Sequence, residues 1–195
     1  VPGHLLVGVE RDAIEVHHLV GRAVDRAFGA AAVVAAAIAV GIEPGRACSL
    51  LDTATSESKW RMEVTELPNN ITIINDAYNA NPESMRVGLK TLKAMAHGRR
   101  SWAILGEMKE LGAESMTAHD DIGRLCVRLD INRMVGIGDA GKIMQMGAAQ
   151  EGSYANEAQW VDTPETAVQL LKAEINPGDV IFIKASRGVA LERVA

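Results

Sequence analysis

The stretch "ITIINDAYNANPES", Ile71 to Ser84, decides the reading of the whole chain. It opens as a β-branched apolar run. Asn75, Asp76, Tyr78, Asn79 and Asn81 then crowd together before Pro82 and a helix-like pattern. Pro82 suits the first helical position, where its missing N–H costs nothing. Asn81 suits the N-cap, accepting from a free backbone N–H. One helix start needs one cap, so Asp76, Tyr78 and Asn79 are left over as candidates for a site.

Outward from this junction, from about Glu63, apolar runs alternate with longer helical patterns. The spacing predicts strands over 71–76, 101–107, 133–138, 158–162 and 179–186. Helices are expected at about 83–96, 115–129, 139–148 and 164–174, with a short one near 189–195. "EVTEL", 63–67, alternates and stops at Pro68, as an edge strand would. This order implies βαβ units: an α/β fold with a doubly wound, mostly parallel sheet and right-handed crossovers.

The first fifty residues follow a different pattern. "HLLVGV" and "AIEVHHLV" read as two strands, an Ala-rich helix at about 24–40 stops at Gly41, and a short helix begins at Pro44. "DTATSESK", 52–59, is polar and aperiodic, which marks a linker about which the two parts can rotate. Two units are expected: 1–55, a small α/β segment without a complete core of its own, and 56–195. A chain beginning at Val1 rather than Met reads as a fragment.

Composition narrows the function. A net charge of -5 without a basic block argues against nucleic acid. The apolar run Gly29 to Ile42 is shorter than the roughly 20 residues that span a bilayer, so no membrane insertion is expected. Cys48 and Cys126 lie in apolar helical patterns without metal-ligand spacing. Both are expected to be buried free thiols, which suits a cytoplasmic protein. No GxxxxGK[ST], HExxH, GxSxG or CxxC occurs, so no stand-alone catalytic centre or metal site is legible. "VGIGDAGK", 135–142, is only loosely like a phosphate loop and reads as a strand–turn–helix junction.

In an open parallel sheet, ligands bind beyond the strands' carboxyl ends. Polar residues collect at these ends: Asn75 to Asn81, then Gly106 and Glu107, Gly138 and Asp139, Asp162 and Thr163, and finally Lys184, Ser186 and Arg187.

"NDAYNANPESMRVGLKTL" (75–92), "WAILGEMKELGAES" (102–115) with His119, and "VIFIKASR" (180–187) together resemble the Mur ligase family. The nearest branch joins D-Ala-D-Ala to UDP-MurNAc-tripeptide during peptidoglycan precursor synthesis. The resemblance covers about 60–195 and implies a Rossmann-like C-terminal ligase domain, preceded by a remnant of the central ATPase domain. It implies a reaction in which ATP, with Mg²⁺, phosphorylates the peptide carboxylate and the amine of D-Ala-D-Ala attacks the acyl phosphate. The P-loop and metal ligands would lie in domains outside this chain, leaving the chain inactive alone.

By that resemblance Asp76 contacts the ATP ribose and matters for nucleotide use rather than for folding. Arg61, Tyr78 and Asn79 join it in nucleotide binding. Asn81, Glu107, Lys184, Ser186 and Arg187 face the substrate, and Arg187 holds the D-Ala-D-Ala carboxylate. Met108, Glu110, Leu111 and Gly112 complete the loop after the second main strand. His119 is expected to be structural or on the surface. Two departures stand out. Arg26 replaces an expected adenine-binding Asn, and Ala185 replaces a Gly, adding a methyl near the substrate. A non-catalytic binding or scaffolding module of the same family is the alternative. An unrelated nucleotide-binding domain, such as a dehydrogenase, ranks last, because no acidic residue follows a true GxGxxG at the required distance.

Overall fold

Six strands form one sheet in the computed structural model, which describes residues 34–53 and 59–195. The chain divides into two compact units, Val1–Glu57 and Ser58–Ala195. In the first, residues 34–39 are helical and α1 spans Pro44–Thr53. The Glu43 carboxylate accepts from the Gly45 and Arg46 amides, 2.9 Å each, and so caps α1. The expected strands before residue 21, most of the Ala-rich helix, Arg26 and most of the linker lie outside the described residues. Cys48 corrects an expectation: it is exposed, whereas Cys126 is buried.

The second unit holds β1 (Glu63–Leu67), β2 (Ile71–Asn75), α2 (Pro82–Ala96), β3 (Ser101–Leu105) and α3 (Ser115–Arg128). It continues with β4 (Arg133–Ile137), α4 (Gly138–Glu151), β5 (Ala158–Val161), α5 (Pro164–Glu174) and β6 (Val180–Lys184). The sheet order is β1-β2-β6-β3-β4-β5. β1 pairs antiparallel with β2 at one edge, and every other pairing is parallel. The expected doubly wound α/β architecture is therefore present.

The sheet is buried on both faces, which is why β3 and β6 read as continuous apolar runs rather than alternating ones. One face packs Met85, Leu89 and Leu92 of α2, Ile122 of α3 and Met144 of α4 against Ile74, Leu105 and Phe182. The other packs Ala167 and Leu171 of α5, with Leu191 and Val194, against Ile104, Val135 and Ile183. Small residues set the layer spacing. A methyl at Gly88 would lie 2.3 Å from the Phe182 ring. One at Gly123 of α3 would lie 1.8 Å from the Met144 carbonyl oxygen of α4. Backbone cannot yield as a side chain can, so α3 and α4 touch only because glycine stands there.

The "VGIGDAGK" junction is a strand running into a helix. A methyl at Gly136 would meet the backbone of Gly141 at 2.3 Å, so these glycines serve close packing. The helix expected near 189–195 is two short 3₁₀ turns, Arg187–Val189 and Leu191–Arg193. Ala190 between them is left-handed at φ 56°, which stops a continuous helix.

Candidate functional site

β6 lies between β2 and β3, so three carboxyl ends come together. β2 and β3 lead to helices on one face, while β6 leads to turns packed on the other. Chain paths diverging from adjacent strands leave a crevice at this edge. Asp76, Gly106–Glu107 and Lys184–Arg187 stand around it.

The β2–α2 junction is built locally. Asn75 is buried, and its Oδ1 accepts from the Ala77 amide at 3.2 Å, which turns the chain. The Asp76 amide donates to Ile183 at 2.8 Å, extending the β2–β6 ladder by one bond. Asn81 caps α2 through a reciprocal box with Ser84: its Oδ1 accepts from the Ser84 amide at 2.8 Å, and Ser84 Oγ accepts from the Asn81 amide at 3.1 Å. Asn79 Oδ1 accepts from the next amide, that of Ala80, at 2.9 Å.

Asp76 turns inward. One carboxylate oxygen accepts from the Met62 amide at 3.1 Å, and the other pairs with Lys184 Nζ. Lys184 is 2 % exposed and also donates to the Asn79 carbonyl at 2.8 Å. An ammonium so removed from water requires a counter-charge, and Asp76 is the only carboxylate paired with it among the described residues. Asp76, expected to matter for nucleotide use rather than for folding, is thus also the partner of a buried ammonium. Lys184, expected at the substrate, is buried beneath the loop it holds.

Ser186 is likewise buried. Its hydroxyl accepts from the Lys109 amide at 2.9 Å and donates to the Ala80 carbonyl at 3.3 Å. Its own amide donates to Glu107 at 2.9 Å. It thus ties the β2–α2 and β3–α3 loops to the end of β6. Ala185 also differs from expectation: its methyl is buried in the core, where a methyl at Gly106 would lie 2.8 Å from it. The extra carbon faces Gly106 rather than the crevice.

The outer rim is cationic and aromatic. Arg61 stacks on the half-buried Tyr78 ring at 4.0 Å, and Arg187 approaches the same ring at 5.5 Å. Lys109 lies along the Arg187–Val189 turn, its Nζ 2.4 Å from where a methyl on Gly188 would stand. Arg61, Lys109 and Arg187 are exposed and form no ion pair among the described residues. Glu107, Asn79 and Asn81 are also exposed.

The structure thus separates the sequence-derived set. Arg61, Tyr78 and Arg187 cluster at the rim, while Asp76, Lys184 and Ser186 form an internal frame. Lys109 and the buried His119 had no distinguishing local signal. The motif spacing carried both, but nothing in it marked which side chain faces in.

An inner ion pair, a hydroxyl hub and an outer rim of cations, unpaired among the described residues, stand at the switch of a parallel sheet, where the chemistry suits an anionic ligand. The chain belongs to the Mur ligase family: residues 60–187 match the family model described as Mur ligase, glutamate ligase domain. The UDP-N-acetylmuramoyl-tripeptide–D-alanyl-D-alanine ligase of Mycobacterium leprae is 46 % identical over 177 residues, covering 82 % of this chain and 34 % of that one. The protein of the same name from Bacillus subtilis is 30 % identical over 86 % of this chain and 36 % of its own length. Among solved structures, MurF from Acinetobacter baumannii aligns with TM-score 0.71 at 25 % identity, covering 85 % of this chain and 35 % of that one. The MurF ligase from Thermotoga maritima, in complex with ADP, aligns with TM-score 0.59 at 25 % identity, covering 72 % of this chain and 30 % of that one. The chain spans about a third of the length of the curated relatives it matches.

Proposed function

We propose that this chain is the C-terminal part of an ATP-dependent ligase that adds D-Ala-D-Ala to UDP-MurNAc-tripeptide in the cytoplasmic synthesis of peptidoglycan precursors. The observation that carries this reading is the rim of guanidinium groups around Tyr78, unpaired among the described residues and set at the sheet's switch point in a chain of this family. Residues 1–55 are, in this proposal, the tail of the central ATP-binding domain, and 56–195 the ligase domain that meets the nucleotide.

Two anionic ligands need recognition at this edge. The nucleotide brings phosphates and a ribose, and the dipeptide brings a carboxylate. Arg61 is exposed, paired with no carboxylate among the described residues, and suited to phosphate. Tyr78 holds its guanidinium in place, and Asn79 lies alongside. Asp76 still has lone pairs for ribose hydroxyls, while its charge is held by Lys184 and the Met62 amide. Arg187 offers the planar fork that binds a carboxylate through two parallel bonds. Asn81 and Glu107 complete the substrate side, and Lys184 and Ser186 keep the loops that carry these groups in register.

In this proposal Mg²⁺ is held by the ATP-binding part together with the nucleotide's phosphates. The chemical need is to turn a carboxylate into an acyl donor and to keep water from it, so the ligand-bearing edge must close against the ATP-binding part. The test is phosphate release by the intact polypeptide containing this chain, with ATP, UDP-MurNAc-tripeptide and Mg²⁺ supplied. Release that requires D-Ala-D-Ala supports the proposal. Release that ignores it, or none at all, overturns it. The 195-residue chain alone is expected to release no phosphate.

A further inference from the structure

We propose that His119 is a positioning residue, which sets the loop between β3 and α3 so that Lys109 and Glu107 stand at the rim beside Arg187. It lies on α3, is 0 % exposed and touches none of the rim groups through its own ring bonds.

The two ring nitrogens have fixed and opposite roles. Nδ1 lies 2.6 Å from the Ser115 carbonyl oxygen, which can only accept. Nε2 lies 2.9 Å from the Met108 amide, which can only donate. The ring therefore carries its proton on Nδ1, with Nε2 bare. The imidazolium and the other tautomer each place an N–H against the Met108 N–H. The Ser115 hydroxyl, 3.3 Å from Nδ1, adds a weaker contact on the same side.

Met108 is 1 % exposed and plugs the core, so its neighbours Glu107 and Lys109 face outward. Three successive residues are tied down: Glu107 through its carbonyl and Lys109 through its amide to Ser186, and Met108 to His119. Beyond them the chain turns through left-handed Glu110 (φ 65°) and Gly112 (φ 55°). The Lys109 side chain then runs along Gly188, next to Arg187. Without the His119 bond the loop keeps only its ties to Ser186 at this point, and the Lys109 ammonium is free to leave the Arg187 turn.

Substitutions separate positioning from general support. The Gln amide reaches about as far as Nε2, so His119→Gln can still accept from Met108. The Asn amide reaches only as far as Nδ1, so His119→Asn loses that acceptor and keeps the Ser115 contact. On the chain itself, ¹⁵N spectra of the imidazole at pH 7 should show Nδ1 protonated and Nε2 bare. Hydrogen exchange at the Met108 amide should be about tenfold faster in His119→Asn, relative to the amides of α3, and close to wild type in His119→Gln, as loss of one hydrogen bond implies. In the intact polypeptide His119→Asn should raise the D-Ala-D-Ala KM about tenfold, leave the ATP KM within about twofold, and be rescued by Gln.

The kinetic arm rests on the ligase reading; the spectroscopic and exchange arms do not. A charged ring, an Nε2–H tautomer, or equal exchange at Met108 in the Asn and Gln variants overturns the positioning role. So do equal KM values in the two variants. If His119→Asn does not fold, the tautomer and the Gln variant decide. Correct exchange behaviour without any D-Ala-D-Ala-dependent activity overturns the ligase reading and leaves the positioning role standing.

Discussion

Replacing Asp76 by Asn removes the counter-charge of a buried ammonium. Lys184 is 2 % exposed, and its other bond is to a neutral carbonyl, that of Asn79. Breaking a buried pair from one side costs about 3–5 kcal/mol. Urea unfolding of the wild-type and Asp76→Asn chains at pH 7 measures the effect, with an expected difference of about 3–5 kcal/mol. Adding Lys184→Met should recover most of the loss, because an apolar chain of similar length needs no partner. A loss under about 1 kcal/mol would refute the reasoning.

Two further outcomes are expected. Asn81→Ala removes one half of the reciprocal cap on α2 and should cost about 1 kcal/mol in urea unfolding, with little change for Asn81→Asp. Native-state alkylation at pH 8 should label the exposed Cys48 and spare Cys126, whose thiol is pushed up to about 12 by burial; labelling of Cys126 at a comparable rate would show that the α3–β4 core opens readily.

The course of the second unit was legible because its signals are local. Ile71 to Ile74 followed by Pro82 announces strand, turn and helix within a dozen residues, and the same pattern repeats down the chain. The edge position of β1 followed from its alternation and from Pro68. What failed depends on contacts between distant residues. Asp76 and Lys184 are 108 positions apart, and only the insertion of β6 beside β2 makes them a pair. Ala185 looked like an intrusion on the substrate, yet Gly106 has made room for its methyl across the β3–β6 pairing. His119 sits in an ordinary amphipathic helix, and its partner is a backbone amide, which no side-chain pattern reveals. The apolar neighbours of Cys48 suggest burial, but the residue is exposed on α1. The motif residues were found, but the sequence did not show which are ligand-facing and which hold the frame.

The most direct test of the central claim is the kinetics of Arg187 variants in the intact polypeptide. Arg187 is exposed, stacked toward Tyr78 and free of any carboxylate among the described residues, so the account gives it the incoming dipeptide's carboxylate. Losing a charge-assisted bond of this kind is worth about 1.5–3 kcal/mol, or roughly one to two decades in kcat/KM. Arg187→Ala should show that loss for D-Ala-D-Ala, and Arg187→Lys part of it, since the charge remains but the fork is gone. The constants for ATP and UDP-MurNAc-tripeptide should stay within about twofold. An unchanged D-Ala-D-Ala dependence in Arg187→Ala would contradict the account and return Arg187 to the status of a solvated surface charge.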